Sequence, residues 1–425
     1  MTEALDVLLG DAPIGRLTRA RGGRLSFAYD EAWRSRRDAY PLSVSMPLVD
    51  ARHEHDVVLP YLQGLLPDNE RILEAWGRRF QVSASSAFDL LVAVGDDCSG
   101  AVRFLPSDRA GAPSPEGRGA VEWLAEADVA ARLRELRRDP SAWRVPSDAG
   151  QFSLGGAQAK TALTFDGKRW GVPRGRRATT HILKPGLAEL EGHVENEHFC
   201  LALAAALGLP VARSSVARFE DEVAICIERF DRERDGRTIR RVHQEDFCQA
   251  LSVMPERKYE NTGGPGIAQM VSLLRERSRS ARDDIAVFLR AIAFAWVIAG
   301  TDAHAKNYSL FVLRGGAVRL TPLYDVASFL PYAPHGLQKV KLAMKVGGKY
   351  RLLEIGVHEW KKLAREVGAD ADELGAEVAA LCREVPAQCE AVLARVRKEG
   401  LRHRVLPQLA ELVAARADRC ARLWA

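Results

Sequence analysis

With 425 residues, 28% of them charged and 47% hydrophobic, the chain has the length for about three domains and enough apolar mass for a large core, which excludes a mainly disordered protein. The formal net charge of +5 is mild, and a solvated surface accounts for it as well as a polyanionic partner does. The N-terminus, Met1–Asp6, carries acids and lacks a basic segment followed by an apolar run, which predicts a cytoplasmic protein without a leader.

In chain order, Asp6–Leu9, Gly10-Asp11 and Pro13–Leu17 read as a hairpin, and Arg24–Tyr29 as a further strand. Val57–Gly77 is helical but broken at Leu66–Glu70, where Asp68 is the expected N-cap of the second part. Ser83–Ala93 predicts another helix, before the polar turn Gly95–Gly100. Residues 106–120, rich in Pro and Gly, read as a linker, followed by an amphipathic helix over Val121–Arg138. Strands and Gly turns dominate Phe152–Arg241, with one helix near Val194–Leu207 that Gly208 and Pro210 terminate. From Gln244 the chain is mostly helical, except Tyr308–Val326, where Gly315-Gly316 joins two short strands. The most apolar stretch, Ile285–Gly300, is interrupted by Arg290 and is too short to span a bilayer, so it reads as a buried helix. The seven cysteines form no CxxC pair, which argues against a zinc site and for reduced, buried thiols.

Four segments carry chemistry. The first is Phe152–Thr161, in which Gly155, Gly156, Ala157, Gln158, Ala159 and Lys160 form a small-residue loop that would let backbone N–H groups approach phosphates. It lacks the GxxxxGK[ST] spacing, and a plain hairpin turn explains it equally well on its own. The second is Thr179–Pro185, a strand ending in Lys184, which is either placed to reach phosphates like the strand lysine of a kinase, with Glu197 preferred over Glu195 as the acid orienting it, or an exposed lysine at a strand end. The third is Ala224–Asp231, an apolar strand running into a connector, Glu228, Arg229 and Phe230, where adenine would meet backbone groups and an aromatic ring, or where a core strand simply ends. The fourth is Gly300–Asn307 followed by Leu323–Val326. Asp302 and Asn307 have the Asp-x-x-x-x-Asn spacing of a kinase catalytic loop, and Asp325 follows after a hairpin, as a metal-binding Asp does. A single pair would be explained by an N-cap and a turn residue; four segments in this order point to phosphoryl transfer.

These strings, with Glu-Asn-Glu (Glu195–Glu197), Gln-Glu-Asp-Phe-Cys-Gln (Gln244–Gln249), Gly-Gly-Pro-Gly-Ile (Gly263–Ile267) and the N-terminal Gly64–Asp68 and Gly95–Val102, resemble HipA-type serine/threonine kinases, the toxins of bacterial toxin–antitoxin pairs. The resemblance covers nearly the whole chain except Pro106–Gly150. It implies an α+β, two-lobed protein-kinase-like fold with an extra β-rich N-terminal subdomain and a mostly helical C-terminal lobe. The expected divisions are residues 1–105, a linker and helix over 106–147, an ATP-binding region over 148–250 and a catalytic lobe over 251–425. It implies ATP and Mg²⁺ as cofactors. Gly155–Lys160 would cradle the phosphates, Lys184 would contact them, Glu228–Phe230 would hold adenine, and His304, Ala305, Lys306 and Tyr324 would complete the nucleotide site. Asp302 would be the base, Asn307 and Asp325 would bind metal, and Ser153 matches the serine that such kinases autophosphorylate to switch themselves off. Ala159 stands where members often carry Glu, and Ala303 where Gly is usual; neither supplies a group to the chemistry above.

The expected partners are a helix-turn-helix, HipB-like antitoxin repressor and a protein substrate of the translation machinery such as an aminoacyl-tRNA synthetase, with DNA reached only through the antitoxin and no membrane. A small-molecule kinase of the same architecture and a non-catalytic corepressor module are the rival readings. The basic runs Lys168–Arg177 and Arg395–Arg404 read as solvated surface.

Overall fold

The computed structural model describes residues 3–106, 121–142, 152–174, 177–236 and 238–425. Most of the expected linker, and Arg176 of the first basic run, lie outside the described residues. The chain divides into two compact units: residues 1–185, 218–256 and 309–318 form one, and residues 186–217, 257–308 and 319–425 the other.

In the first unit, alternation of apolar residues builds an antiparallel sheet in the order Arg52–Glu54, Leu25–Tyr29, Ala12–Arg19, Glu3–Leu9, Val102–Pro106. Leu5, Val7 and Leu9 share one face and are buried, as period-2 patterning requires. The helices His55–Gly64 and Ala87–Val94 pack against this sheet, with Tyr61 fully buried. A second antiparallel sheet places Glu222–Glu228, His181–Pro185, Thr161–Phe165, Trp170–Pro173 and Val121–Trp123 side by side. The helix Glu126–Arg138 lies on it through Val129, Ala130, Leu133 and Leu136, a helical stripe that is wholly buried.

Two local expectations are corrected here. The N-cap of the helix Glu70–Phe80 is Asn69, whose Oδ1 accepts from Arg71 N at 3.0 Å; Asp68 instead gives its backbone N–H to Gly156 O at 3.2 Å. The helix expected over Val121–Arg138 begins only at Glu126, because Val121–Trp123 is taken as an edge strand by Trp170–Pro173. The first basic run behaves as surface: Arg169 lies over the Trp123 ring and pairs with Asp166, and Arg174 pairs with Glu122.

The second unit is mainly helical: His193–Ala206, Ile267–Arg277, Ala281–Val297, Val357–Glu366, Ala371–Lys398 and Val405–Ala421. The apolar stretch seen in the sequence is the buried helix Ala281–Val297, in which Phe288 and Phe294 are fully enclosed and Trp296 stands edge-on to Trp360 at 5.6 Å. The mainly helical reading after Gln244 missed the strand Gln244–Asp246 and the hairpin Lys341–Val346/Lys349–Arg351, both too short to carry a periodic signal. Among the described residues no helix is long and apolar enough to cross a membrane, and all seven cysteines are free and buried.

A buried ion cluster ties distant segments of the first unit together. Asp97 Oδ1 accepts from Arg232 Nη2 (2.9 Å) and Arg241 Nε (3.1 Å), and its Oδ2 from Thr179 N (3.0 Å) and Thr179 Oγ1 (2.7 Å). Asp231 takes the Arg229 fork at 2.9 and 2.7 Å and the Gly100 N–H at 2.7 Å. Burial alone would raise the Asp97 pKa, but Arg232, Arg241 and Arg229 outweigh it and hold the carboxyl below its usual range, while burial and Arg229 bring Arg232 down to about 10. Removing one member leaves buried charges unpaired. Asp97→Ala is therefore expected to destabilise the first unit by about 3–5 kcal/mol, read as a lower urea midpoint; an unchanged midpoint would show the cluster to be dispensable.

A second buried pair has opposite linkage to pH. Glu245 is fully enclosed, accepting from Ser43 Oγ and, at 2.7 Å, from Val44 N, and burial pushes its carboxyl up from 4.5 to about 8. His243 is pushed down by burial from 6.5 to about 4, with its Nε2 2.8 Å from Leu42 O. The folded state holds the Glu245 proton more tightly than the unfolded chain, so this term costs stability as pH rises from 4.5 to about 8. The His243 term adds stability as pH rises from about 4 to 6.5, so the two offset below 6.5 and only the Glu245 loss operates above it. Urea midpoints should fall between pH 6.5 and 8 in the wild type and flatten in Glu245→Gln; parallel slopes in the two proteins would contradict this assignment.

Candidate active site

The first unit carries the segments expected to bind nucleotide. Phe152–Ser153 pairs in parallel with Asp97–Cys98, which positions the small-residue loop at the end of a short, buried strand. Ser153 is completely buried, and its hydroxyl donates to Leu65 O at 2.7 Å. Gly156 bridges Pro67 in parallel fashion, so the loop leans on the connector between the helices His55–Gly64 and Glu70–Phe80. Gly156 has φ +102°, and a Cβ there would lie 2.7 Å from Lys160 Nζ. The position is a backbone cradle that only glycine fills, with an ammonium group beside it. Lys160 Nζ donates to Gly155 O, and Gln158 Nε2 reaches Pro185 O at 3.5 Å, at the end of the strand that carries Lys184.

Lys184 is buried and opposite Ile225 in the register of His181–Pro185 against Glu222–Glu228. Of the connector, Glu228 is exposed, the Arg229 side chain is committed to the ion cluster, and Phe230 stands edge-on to Phe311 at 5.8 Å. The backbone N of Arg229 donates to Thr180 O at 2.9 Å.

The second unit carries the expected catalytic loop. Asn307 Nδ2 donates to Asp302 O at 2.7 Å, closing the loop on itself; His304 N also donates to Asp302 O at 2.8 Å, and Asn307 N to His304 O at 2.9 Å. The Asp302 side chain is 64% exposed, whereas Ala305, Lys306 and Asn307 are buried. Tyr324 Oη donates to Lys306 O at 2.7 Å, so Leu323–Val326 is fastened to the catalytic loop. Asp325 has φ +58°, a left-handed conformation that a non-glycine residue adopts at a cost. Asn196, on the helix His193–Ala206, grips the following segment by accepting from Ser328 N (2.9 Å) and donating to Ser328 O (2.8 Å). Glu195 and Glu197, the acids proposed to orient Lys184, are buried on the same helix. His304 is buried and pushed below its ordinary pKa by desolvation, so it is neutral at pH 7; its Nδ1 has no hydrogen-bond partner.

The residues present fit Mg²⁺ with a nucleotide. Asn307 spends its amide N–H on Asp302 O, which leaves its oxygen as a hard ligand, and Asp325 adds a carboxylate. Among the described residues no group of three or more His, Cys, Asp or Glu is arranged to hold a metal. One carboxylate and one amide oxygen suit Mg²⁺, which takes most of its remaining ligands from phosphates and water. Two contributors escaped the sequence reading. Asn196 was visible only as part of a motif without a role, and Tyr259, whose hydroxyl donates to Asp302 Oδ1, lies 43 residues from its partner.

Comparison with known proteins agrees along the whole chain. Residues 5–105 match the HipA N-terminal domain, and residues 152–390 the HipA-like C-terminal domain. Y4mE of Sinorhizobium fredii, named as a candidate kinase, is 36% identical over 358 residues, covering 84% of this chain and 83% of that protein. The serine/threonine-protein kinase toxin HipA of Shewanella oneidensis is 31% identical over 368 residues, covering 82% of this chain and 80% of that protein. The solved structure of HipA with HipB and operator DNA from Shewanella oneidensis superposes with a TM-score of 0.83 at 26% identity, covering 98% of this chain and 97% of that one. That likeness bears out the expected α+β, two-lobed protein-kinase-like fold class with a β-rich N-terminal subdomain and a helical C-terminal lobe. Two matched domains and two relatives above 30% identity lead to one conclusion: the chain belongs to the HipA-type kinase family.

Proposed function

We propose that this protein is an ATP- and Mg²⁺-dependent serine/threonine protein kinase, the toxin of a cytoplasmic toxin–antitoxin pair. The acceptor is a component of translation such as an aminoacyl-tRNA synthetase. The partner is a helix-turn-helix, HipB-like repressor, through which the kinase meets DNA. The observation that carries the reading is the Asp302–Asn307 loop, closed by the 2.7 Å bond from Asn307 to the Asp302 carbonyl, with Tyr324-Asp325 fastened to it.

Gly155–Lys160 and Lys184 take the phosphates, and Glu228–Phe230 the adenine, with His304, Ala305, Lys306 and Tyr324 completing the nucleotide site. Asp302 accepts the proton of the acceptor hydroxyl, its exposed carboxylate being open to an incoming protein chain. Asn307 and Asp325 hold Mg²⁺, which when bound neutralises charge on the transferring phosphoryl group. The ammonium groups of Lys160 and Lys184 add to that neutralisation.

Ser153 is the proposed site of self-inhibition. Its hydroxyl spends its proton on Leu65 O inside a buried strand pair, so transfer requires this strand to come out and meet another molecule's base. A phosphoserine adds a charge of about −1.5 to −2. In its dianionic form it has no proton to return to the Leu65 carbonyl, so the strand cannot re-seat.

Loss of the base should lower phosphoryl transfer by roughly 10²–10⁴-fold in Asp302→Asn while leaving ATP binding nearly intact. Expression of the wild type alone should arrest growth, relieved by the neighbouring repressor or by Asp302→Asn. Transfer at the wild-type rate, or arrest that persists in the variant, would refute the assignment. Ser153→Ala should keep substrate phosphorylation and lose self-limitation; timed phosphosite mapping that finds no phosphate on Ser153, or undiminished ATP binding by the Ser153-phosphorylated form, would exclude this regulation.

A further inference from the structure

The motif Gly263–Ile267 has no role in the chemistry above, yet the segment it closes reaches the proposed base. Three donors converge on the Tyr259 carbonyl: Thr262 N (3.0 Å), Gly264 N (3.0 Å) and Thr262 Oγ1 (2.9 Å). The turn is tight enough that a Cβ on Gly264 would fall 1.9 Å from Arg257 O and 2.8 Å from Tyr259 O. Only glycine permits this approach. Glu260 anchors the same turn to the hairpin Lys341–Val346/Lys349–Arg351, accepting from Lys345 N at 2.6 Å. The Lys258 carbonyl takes the Ala305 N–H at 3.4 Å, so the turn is joined to the catalytic loop through the backbone.

The Tyr259 side chain is thereby delivered to Asp302. Its hydroxyl donates to Asp302 Oδ1, and its ring stands edge-on to His304, with centroids 4.9 Å apart and planes at 81°. His304 Nε2 lies 3.8 Å from the same oxygen, beyond hydrogen-bond range, so the phenol and not the imidazole holds the carboxylate. An exposed Asp without such a partner samples several rotamers, and a base that must meet a hydroxyl at about 2.6–3.2 Å loses rate when it is not pre-aimed.

We propose that Tyr259 is a positioning residue for the base: it occupies Asp302 Oδ1 and leaves Oδ2 aimed at the acceptor hydroxyl, with His304 fixing the plane of the phenol and the Gly263–Gly266 turn fixing its height. The inference rests on Asp302 being the base. It makes Tyr259 act through Asp302 and not on the nucleotide.

The test uses the full chain, ATP with Mg²⁺, and myelin basic protein as a generic acceptor. Tyr259→Phe keeps the ring against His304 and removes only the donor. It should lower kcat about 10- to 100-fold with the KM for ATP unchanged. In an Asp302→Asn background, single-turnover rates should show no further loss from Tyr259→Phe, the non-additivity expected of residues acting as a unit. Meta-fluorotyrosine at position 259 retains a hydroxyl and should restore the rate, and its fluorine resonance should shift when Asp302→Asn is added, a readout independent of turnover. A wild-type kcat in Tyr259→Phe, an equal loss in both backgrounds, or a fluorine signal unmoved by Asp302→Asn would overturn the proposal. An inactive Asp302→Asn beside a fully active Tyr259→Phe would overturn it alone, whereas a fully active Asp302→Asn would remove the base assignment and this inference together.

Discussion

The buried carboxylate of Asp97 is the contact on which the first unit depends. An isolated charge in the interior is costly, and it persists here because guanidinium groups from Arg232 and Arg241 and two donors of Thr179 surround it. Those partners come from remote parts of the sequence, so the charge can be satisfied only when the chain has folded correctly. The consequence reaches the site directly. Thr179 lies two residues before the strand that presents Lys184, and the backbone of Asp97–Cys98 pairs with Phe152–Ser153 at the start of the phosphate loop. One carboxylate thus ties together the two segments proposed to face the nucleotide.

The N-terminal segment is consequently more than an appendage. Leu65 O takes the Ser153 hydroxyl, and Pro67 and Asp68 hold the Gly156 backbone. The Ser43–Met46 turn is fixed by Glu245, and Gln249 donates to Tyr61 O at 2.9 Å. A change of charge on Ser153 is therefore felt where the N-terminal helices meet the loop, which couples the proposed modification to the packing of the whole first unit.

The Asp302–Asn307 loop is held by a different set of contacts. Backbone hydrogen bonds, the Asn307 and Tyr324 side chains and the Asn196 clamp on Ser328 fix it. The strained backbone of Asp325 is maintained by those neighbours. Asp302 is exposed within this constrained loop, and the Tyr259 hydroxyl contacts its carboxylate.

The larger elements were legible in the sequence because their signals are local: alternation and helical stripes mark them, while the fold class was implied by the resemblance of whole motifs to one family; the spacing of Asp302, Asn307 and Asp325 is likewise written along one stretch of chain. Helix stops at Gly208 and Pro210 and the break at Leu66–Glu70 were readable for the same reason, as were buried thiols. What only the tertiary structure decided is which distant groups meet. Nothing in the local pattern distinguishes Asp97 from other polar turn residues, Asn69 from Asp68 as a cap, or Tyr259 from an ordinary loop aromatic. The Arg229 side chain, on a connector whose backbone was expected to meet adenine, is neutralised inside the Asp231 and Asp97 cluster. Periodicity reports which face of an element is buried; it carries no information about the partner across the core, and hydrogen-bond satisfaction of buried polar groups is settled by that partner.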